Sequence, residues 1–195
     1  MPIALTQFPR SGTITVTQGY GGDTSHNVNS WSVDFSALSG TSGLSVLSGT
    51  VVAARTGSFT GDSNAGGYGN FVTILHTGGF YATYAHLTTV GVSVGQALGA
   101  ATQIGTSGST GSTEGAHIHV HFGTATSGTT TQGSGDVKRA FGGGDAVPPT
   151  FFAAFFGASE VGPHVNADNV STILSKDIFG IEKPGRHFGE RHSPR

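Results

Sequence analysis

His117-Ile118-His119-Val120-His121-Phe122 alternates imidazole and hydrophobe with a period of two. A β-strand sends successive side chains to opposite faces, so the three histidines share one face while Ile118, Val120 and Phe122 share the other. The apolar face asks for a core. The other offers a row of nitrogen donors suited to a borderline metal such as zinc. The bland alternative is a surface strand with fortuitous histidines, and the rest of the chain has to be weighed against it.

Working outward, short strand-like runs punctuated by glycine recur. Residues 13–17 alternate Thr with Ile14 and Val16, and residues 31–36 alternate Trp31, Val33 and Phe35 with Ser32, Asp34 and Ser36. Segments 46–54, 71–76, 80–87 and 116–122 are further strand candidates, and Thr77-Gly78-Gly79 reads as a tight hairpin turn. Such regular spacing predicts an all-β fold, a sandwich or open barrel. Segments 57–69 and 105–115, rich in Gly, Ser and Thr, are expected as loops walling a cleft, against the plain reading of flexible connectors. Segment 124–135 reads as a polar surface excursion, and the phenylalanine-rich 147–156 as a return to the core. Segment 168–181 reads as one short helix and 183–195 as a disordered end. The expected division is a domain over 1–158 and a C-terminal extension over 159–195.

Composition narrows the chemistry. The 195 residues include 33 glycines, and only 10% are charged, against about a quarter in ordinary domains. A net charge of -2 makes no electrostatic case for nucleic acid or an anionic membrane. Cysteine is absent, so thiolate metal sites, disulfides and cysteine nucleophiles are excluded. No apolar stretch is long enough for a bilayer span. The start, Met1-Pro2-Ile3-Ala4-Leu5, lacks the features of a signal peptide. The expectation is a mature fragment or a protein released by another route, such as phage-driven lysis.

Through Gly135 the acids are only Asp23, Asp34, Asp62 and Glu114. Asp34 alternates away from Trp31, Val33 and Phe35, so it points off the core. His26 precedes it in a polar loop, and His86 ends the run 80–87 with the same parity as Tyr84. A catalytic zinc takes three protein ligands and leaves a position for water. Two imidazoles and one carboxylate would satisfy it and leave further histidines for proton transfer, since an imidazole titrates near neutrality. His76, at the hairpin turn, reads as a structural histidine bonded to backbone. Glu114 reads as a solvated loop carboxylate, with recognition of a substrate amine as the other option.

Several blocks occur together in order: Ser25-His26 then Val33-Asp34-Phe35; Gly67-Tyr68-Gly69-Asn70 leading to Val72 and His76; Tyr84-Ala85-His86-Leu87; Val94-Gly95-Gln96; Gly108-Ser109-Thr110-Gly111; Gly115-Ala116-His117-Ile118-His119. From about residue 13 to 122 the chain resembles the lysostaphin-type (LytM-like) zinc metalloendopeptidases that act on peptidoglycan. The resemblance implies antiparallel sheets around a groove and one zinc ion per chain held by His26, Asp34 and His119. It also implies that His86 and His117 act in catalysis. The implied activity is hydrolysis of stem-peptide or cross-bridge bonds by metal-activated water, outside the cell, in the periplasm or at the wall. Two departures stand out. Seven residues separate His26 from Asp34 where the commoner pattern has three, and His121 stands where many relatives carry Glu. His121 and Tyr84 are candidates for supporting the site or touching substrate. The rivals are a wall-binding or structural module that keeps zinc only for stability, and a cupin-like metal enzyme. The cupin reading lacks its expected Glu after the histidine pair.

Overall fold

The computed structural model describes residues 8–11, 26 and 31–123, with strand segments 13–14, 16–18, 125–130, 137–141 and 173–174. The strands are β1 (Thr13–Ile14), β2 (Val16–Gln18), β3 (Trp31–Ser36), β4 (Ser42–Leu44), β5 (Gly49–Arg55), β6 (Phe71–His76) and β7 (Phe80–Ala85). They continue with β8 (Leu87–Val90), β9 (Ala97–Leu98), β10 (Gln103–Ser107), β11 (His117–Gly123), β12 (Ala125–Thr130), β13 (Val137–Phe141) and β14 (Ile173–Leu174). A single 3-10 turn, Asn64–Gly67, is the only helical element among the described residues, and no described helix is long and apolar enough to cross a membrane.

Seven strands form one sheet in the order β2-β3-β11-β7-β6-β5-β9, and β4-β10-β8 form a second. Every ladder among the described residues is antiparallel. The core lies between these two sheets. Val33 and Phe35, Ile118, Val120 and Phe122, Ala82 and Tyr84, and Val72 and Ile74 come from the large sheet; Leu87 and Ile104 come from the small one. Burial of each such side chain contributes roughly 1.5–3 kcal/mol. The alternation read in 117–122 is therefore the one the fold uses.

The pairing of β11 sets the opposite face. His119 sits across from Asp34 on one side and Ala85 on the other, while Val120 sits between Val33 and Tyr84. Residues directly opposite one another share a face. Asp34, His119 and Ala85 are thus on the side away from the core. Further along this face Thr73 and Thr83 are fully buried, their hydroxyls 2.8 Å apart. β13 packs against β5, β6, β7 and β11.

Several expectations change. The run 80–87 is not one strand: β7 stops at Ala85, and His86 takes a φ of +59°. Leu87 then begins β8 in the other sheet. The polar segment 124–135 contains β12, half of a hairpin with β13, rather than an excursion; its low side-chain complexity concealed a backbone pairing. Within 168–181, Ile173–Leu174 is a strand paired with Thr13–Ile14, not helix. The other residues of that segment, the return of 147–156, the end at 183–195 and the boundary at 158/159 lie outside the described residues. The hairpin at Thr77-Gly78-Gly79 forms as expected, with both glycines at positive φ.

Candidate metal centre and groove

Three ligand-type atoms converge from three places in the chain. His119 Nδ1 lies 2.8 Å from Asp34 Oδ1 and 3.3 Å from His26 Nε2, and His26 Nε2 lies 3.5 Å from Asp34 Oδ1. All three residues are buried. A tetrahedral zinc with bonds of about 2.0–2.1 Å has ligand atoms about 3.3–3.4 Å apart. Two ring nitrogens and one carboxylate oxygen at these separations fit such an ion. His119 Nε2 is buried and has no hydrogen-bond partner. Burial, then His121 and His117, hold His119 well below the ordinary imidazole range, so it offers a neutral lone pair.

Two further imidazoles stand beside this triad. His86 and His117 have ring centroids 4.8 Å apart. His86 Nδ1 is 2.8 Å from the Thr110 carbonyl, and His117 Nδ1 is 2.9 Å from the Gly115 carbonyl. A carbonyl only accepts, so each Nδ1 carries a proton and Nε2 is the nitrogen left to exchange one. His117 Nε2 lies 3.5 Å from Asp34 Oδ1. Burial first, then His119 and His117, push His86 down to about 3, so it is neutral in ordinary buffers.

His86 reaches this place because the chain breaks at it. Its N–H donates to the Tyr68 carbonyl at 3.0 Å and the next N–H, of Leu87, to the Asn70 carbonyl at 3.0 Å. These bonds hold a left-handed conformation that a histidine adopts only at some cost. The break also corrects the expectation for Tyr84. Counted as one strand with His86, Tyr84 would face the site; in the structure it lies wholly in the core. Its oxygen accepts from the Val46 N–H at 3.1 Å and lies 3.1 Å from His76 Nε2. His76 Nδ1 meets the Leu47 carbonyl at 3.0 Å, the structural role expected for it.

The cluster floors a groove of about 710 Å³. Gly66, Gly67 and Tyr68 form one wall and Ser112 to Ala116 the other, with Thr17 and Gln18 also lining it. Both glycine-rich segments thus contribute walls, and they are clasped rather than free. Ser112 N–H donates to the Gly67 carbonyl at 2.8 Å, and Gly111 N–H to the Phe59 carbonyl at 2.9 Å. Arg55 braces the first wall, donating to the Gly69 carbonyl and to Asp62 at 2.7 Å each. Arg55, then Ser58, hold the Asp62 carboxyl well below the usual range. Glu114 is an exposed residue of the second wall.

His121 stands on the same face as His119 but outside the triad, its Nδ1 2.5 Å from the Tyr68 hydroxyl. Tyr68 in turn stands edge-on to the His119 ring, with centroids 5.3 Å apart. Tyr68 entered the sequence reading only within the Gly67-Tyr68-Gly69-Asn70 block and with no role of its own, because it lies in an irregular loop with no periodicity to read. The Thr110 and Gly115 carbonyls escaped for a similar reason, since backbone acceptors carry no residue signature.

Residues 29–132, more than half of the chain, match the profile of Peptidase family M23. No curated protein sequence matches. Among solved structures, a zinc containing peptidase from Vibrio cholerae is 22% identical with a TM-score of 0.50, over 62% of this chain and 37% of that one. The catalytic domain of the prophage-encoded M23 protein EnpA from Enterococcus faecalis, solved as a point mutant, is 20% identical with a TM-score of 0.48. That match covers 65% of this chain and 88% of that domain. The catalytic domain of lysostaphin from Staphylococcus simulans is 25% identical with a TM-score of 0.44, over 63% and 86% of the two chains. The Vibrio likeness bears on the fold, while the profile match spans Asp34, His86, His117 and His119 together. The chain belongs to peptidase family M23.

Proposed function

We propose that this chain is a zinc-dependent endopeptidase that hydrolyses peptide bonds of bacterial cell-wall peptidoglycan, in a stem peptide or a cross-bridge. The observation that carries the reading is the convergence of His26 Nε2, Asp34 Oδ1 and His119 Nδ1, with two further imidazoles, His86 and His117, at its edge. A structural zinc site needs the first set but has no use for the second.

His26, Asp34 and His119 would hold the ion. Bound there, zinc would supply Lewis acidity, activating water near neutral pH and polarising a carbonyl. The residues of the chain do the remainder. His86 and His117 each keep a proton on Nδ1 by donating it to a fixed carbonyl, so Nε2 is where each can take or return a proton. One would take the proton of the attacking water on Nε2, while the other, carrying a proton on Nε2 as well as on Nδ1, would hydrogen-bond the scissile carbonyl or give that proton to the leaving amine. The clasped walls would receive an extended peptide between them. Gly66, Gly67 and Gly115 line them without side chains, which suits a main chain approaching closely. A location outside the cell, in the periplasm or at the wall, follows from that substrate.

The test is to incubate purified protein with wall sacculi of defined cross-bridge chemistry, with chelator, without it, and after zinc is restored. Mass spectrometry of the soluble fragments should reveal new amino and carboxyl termini only in the zinc-containing arms. Tight binding to sacculi without peptide release would favour a non-catalytic wall-binding module.

A further inference from the structure

His119 poses a local problem. For Nδ1 to act as a ligand its proton must sit on Nε2, and that nitrogen is buried with no hydrogen-bond partner. Histidine ligands are ordinarily fixed through a bond from the other ring nitrogen. Here that means is missing, so ring orientation must come from packing. The ring at hand is Tyr68, standing edge-on to His119 at 86°.

Tyr68 is itself held at two points, and its neighbour Gly69 at a third. Its carbonyl accepts from His86 N–H at 3.0 Å, and the next carbonyl, of Gly69, accepts from the Arg55 guanidinium at 2.7 Å. Its hydroxyl is bonded to His121 Nδ1 at 2.5 Å. His121 lies two residues beyond His119 on β11, so one strand supplies both the ligand and the anchor of the ring that packs on it.

We propose that Tyr68 and His121 form a positioning pair that sets the orientation of His119, with the Tyr68 ring as the brace and the His121 bond as its anchor. The inference rests on the zinc reading above but not on peptide cleavage. It explains why an imidazole at position 121 serves here without joining the triad.

Zinc affinity measured by competition with a chromogenic chelator, in the absence of any substrate, tests it. Tyr68→Phe keeps the ring and loses the anchor, and His121→Leu loses it from the other side. Each should weaken zinc binding about 10-fold or more, in the range seen when supporting contacts of a metal ligand are removed. The double variant should be no weaker than the worse single one, because both remove the same bond. His121→Gln, whose amide can donate or accept, should restore most of the affinity. In cobalt-substituted protein the singles should alter the visible ligand-field bands, a signature that general loosening of the loop would not give. Thermal melts of the metal-free proteins guard against misfolded variants, with Tyr68→Phe the mildest change. Affinities within twofold of the parent, or additive losses in the double variant, would overturn the pair. A parent protein that binds no zinc would instead overturn the metal reading itself.

Discussion

His117 and His119 approach the same carboxylate oxygen from one face of one strand: His119 Nδ1 is 2.8 Å from Asp34 Oδ1, and His117 Nε2 is 3.5 Å from it. The two imidazoles nevertheless differ in kind. His119 meets His26 and Asp34 through Nδ1, whereas His117 commits Nδ1 to the Gly115 carbonyl and keeps Nε2 at the groove. On the proposed function, adjacent same-face positions of β11 would separate holding a metal from moving a proton.

That separation makes His117→Ala the sharpest substitution. It should lower turnover by about 10²–10⁴-fold, the usual contribution of a positioned acid or base, while zinc stays at one ion per chain. Metal analysis beside a peptide-release assay checks both halves. Loss of zinc from this variant would place His117 among the ligands instead.

Asp34→Ala should do the reverse and empty the site. A ligand that binds only the folded state stabilises it, by about 2.7 kcal/mol when present at 100 times its dissociation constant. Titrating zinc into chelator-stripped parent protein should thus raise its melting temperature. The same titration into Asp34→Ala should leave the melting temperature unmoved. Equal shifts in both proteins would mean that zinc binds elsewhere.

Much of this architecture was legible in the sequence because period-two alternation is a strong signal when one face is buried. Val33 and Phe35 on β3 and Ile118, Val120 and Phe122 on β11 fixed which way Asp34 and His119 point. Parity failed at His86. Its positive φ ends β7 and starts a strand in the other sheet, so Tyr84 and His86 do not share a face. The bonds that impose this break come from the Tyr68 and Asn70 carbonyls, 18 and 17 residues earlier in the chain. No local pattern encodes them. The strand β12 was missed because its Ala-Thr-Ser-Gly-Thr-Thr run gives alternation nothing to contrast.

Close backbone contact between the groove walls yields another expectation. A Cβ at Gly111 would stand 2.1 Å from the Gly67 carbonyl oxygen and 2.5 Å from Gly69 N, neither of which can swing aside. Gly57 has nearly the same φ, +81° against +82°, but open space around its Cβ position. Substitution of either to Ala carries the cost of a left-handed non-glycine residue, about 1 kcal/mol. Gly111→Ala should lose at least about 1 kcal/mol more in urea denaturation and should raise KM as the walls separate. Matching midpoints for the two variants would show that the clasp yields easily.

Acid should weaken the fold through His76. This imidazole is buried, its Nδ1–H donating to the Leu47 carbonyl while Nε2 accepts from the Tyr84 hydroxyl, which itself accepts from Val46 N–H. A second proton would have to displace the Tyr84 donor inside the core. Burial accordingly pushes His76 down to about 4, though the Ser48 and Leu47 carbonyls oppose it, whereas in the unfolded chain it titrates near 6.5. Between those values the unfolded state binds the extra proton, so stability rises with pH across that window and is lost as pH falls from about 6.5 to 4. The full effect is roughly 3 kcal/mol. His76→Gln should be less stable than the parent at pH 7.5, having lost good bonds in the core, yet its stability should fall less steeply toward pH 4. Urea midpoints of both proteins across this range decide it, and parallel curves would mean that His76 is not a source of the acid sensitivity.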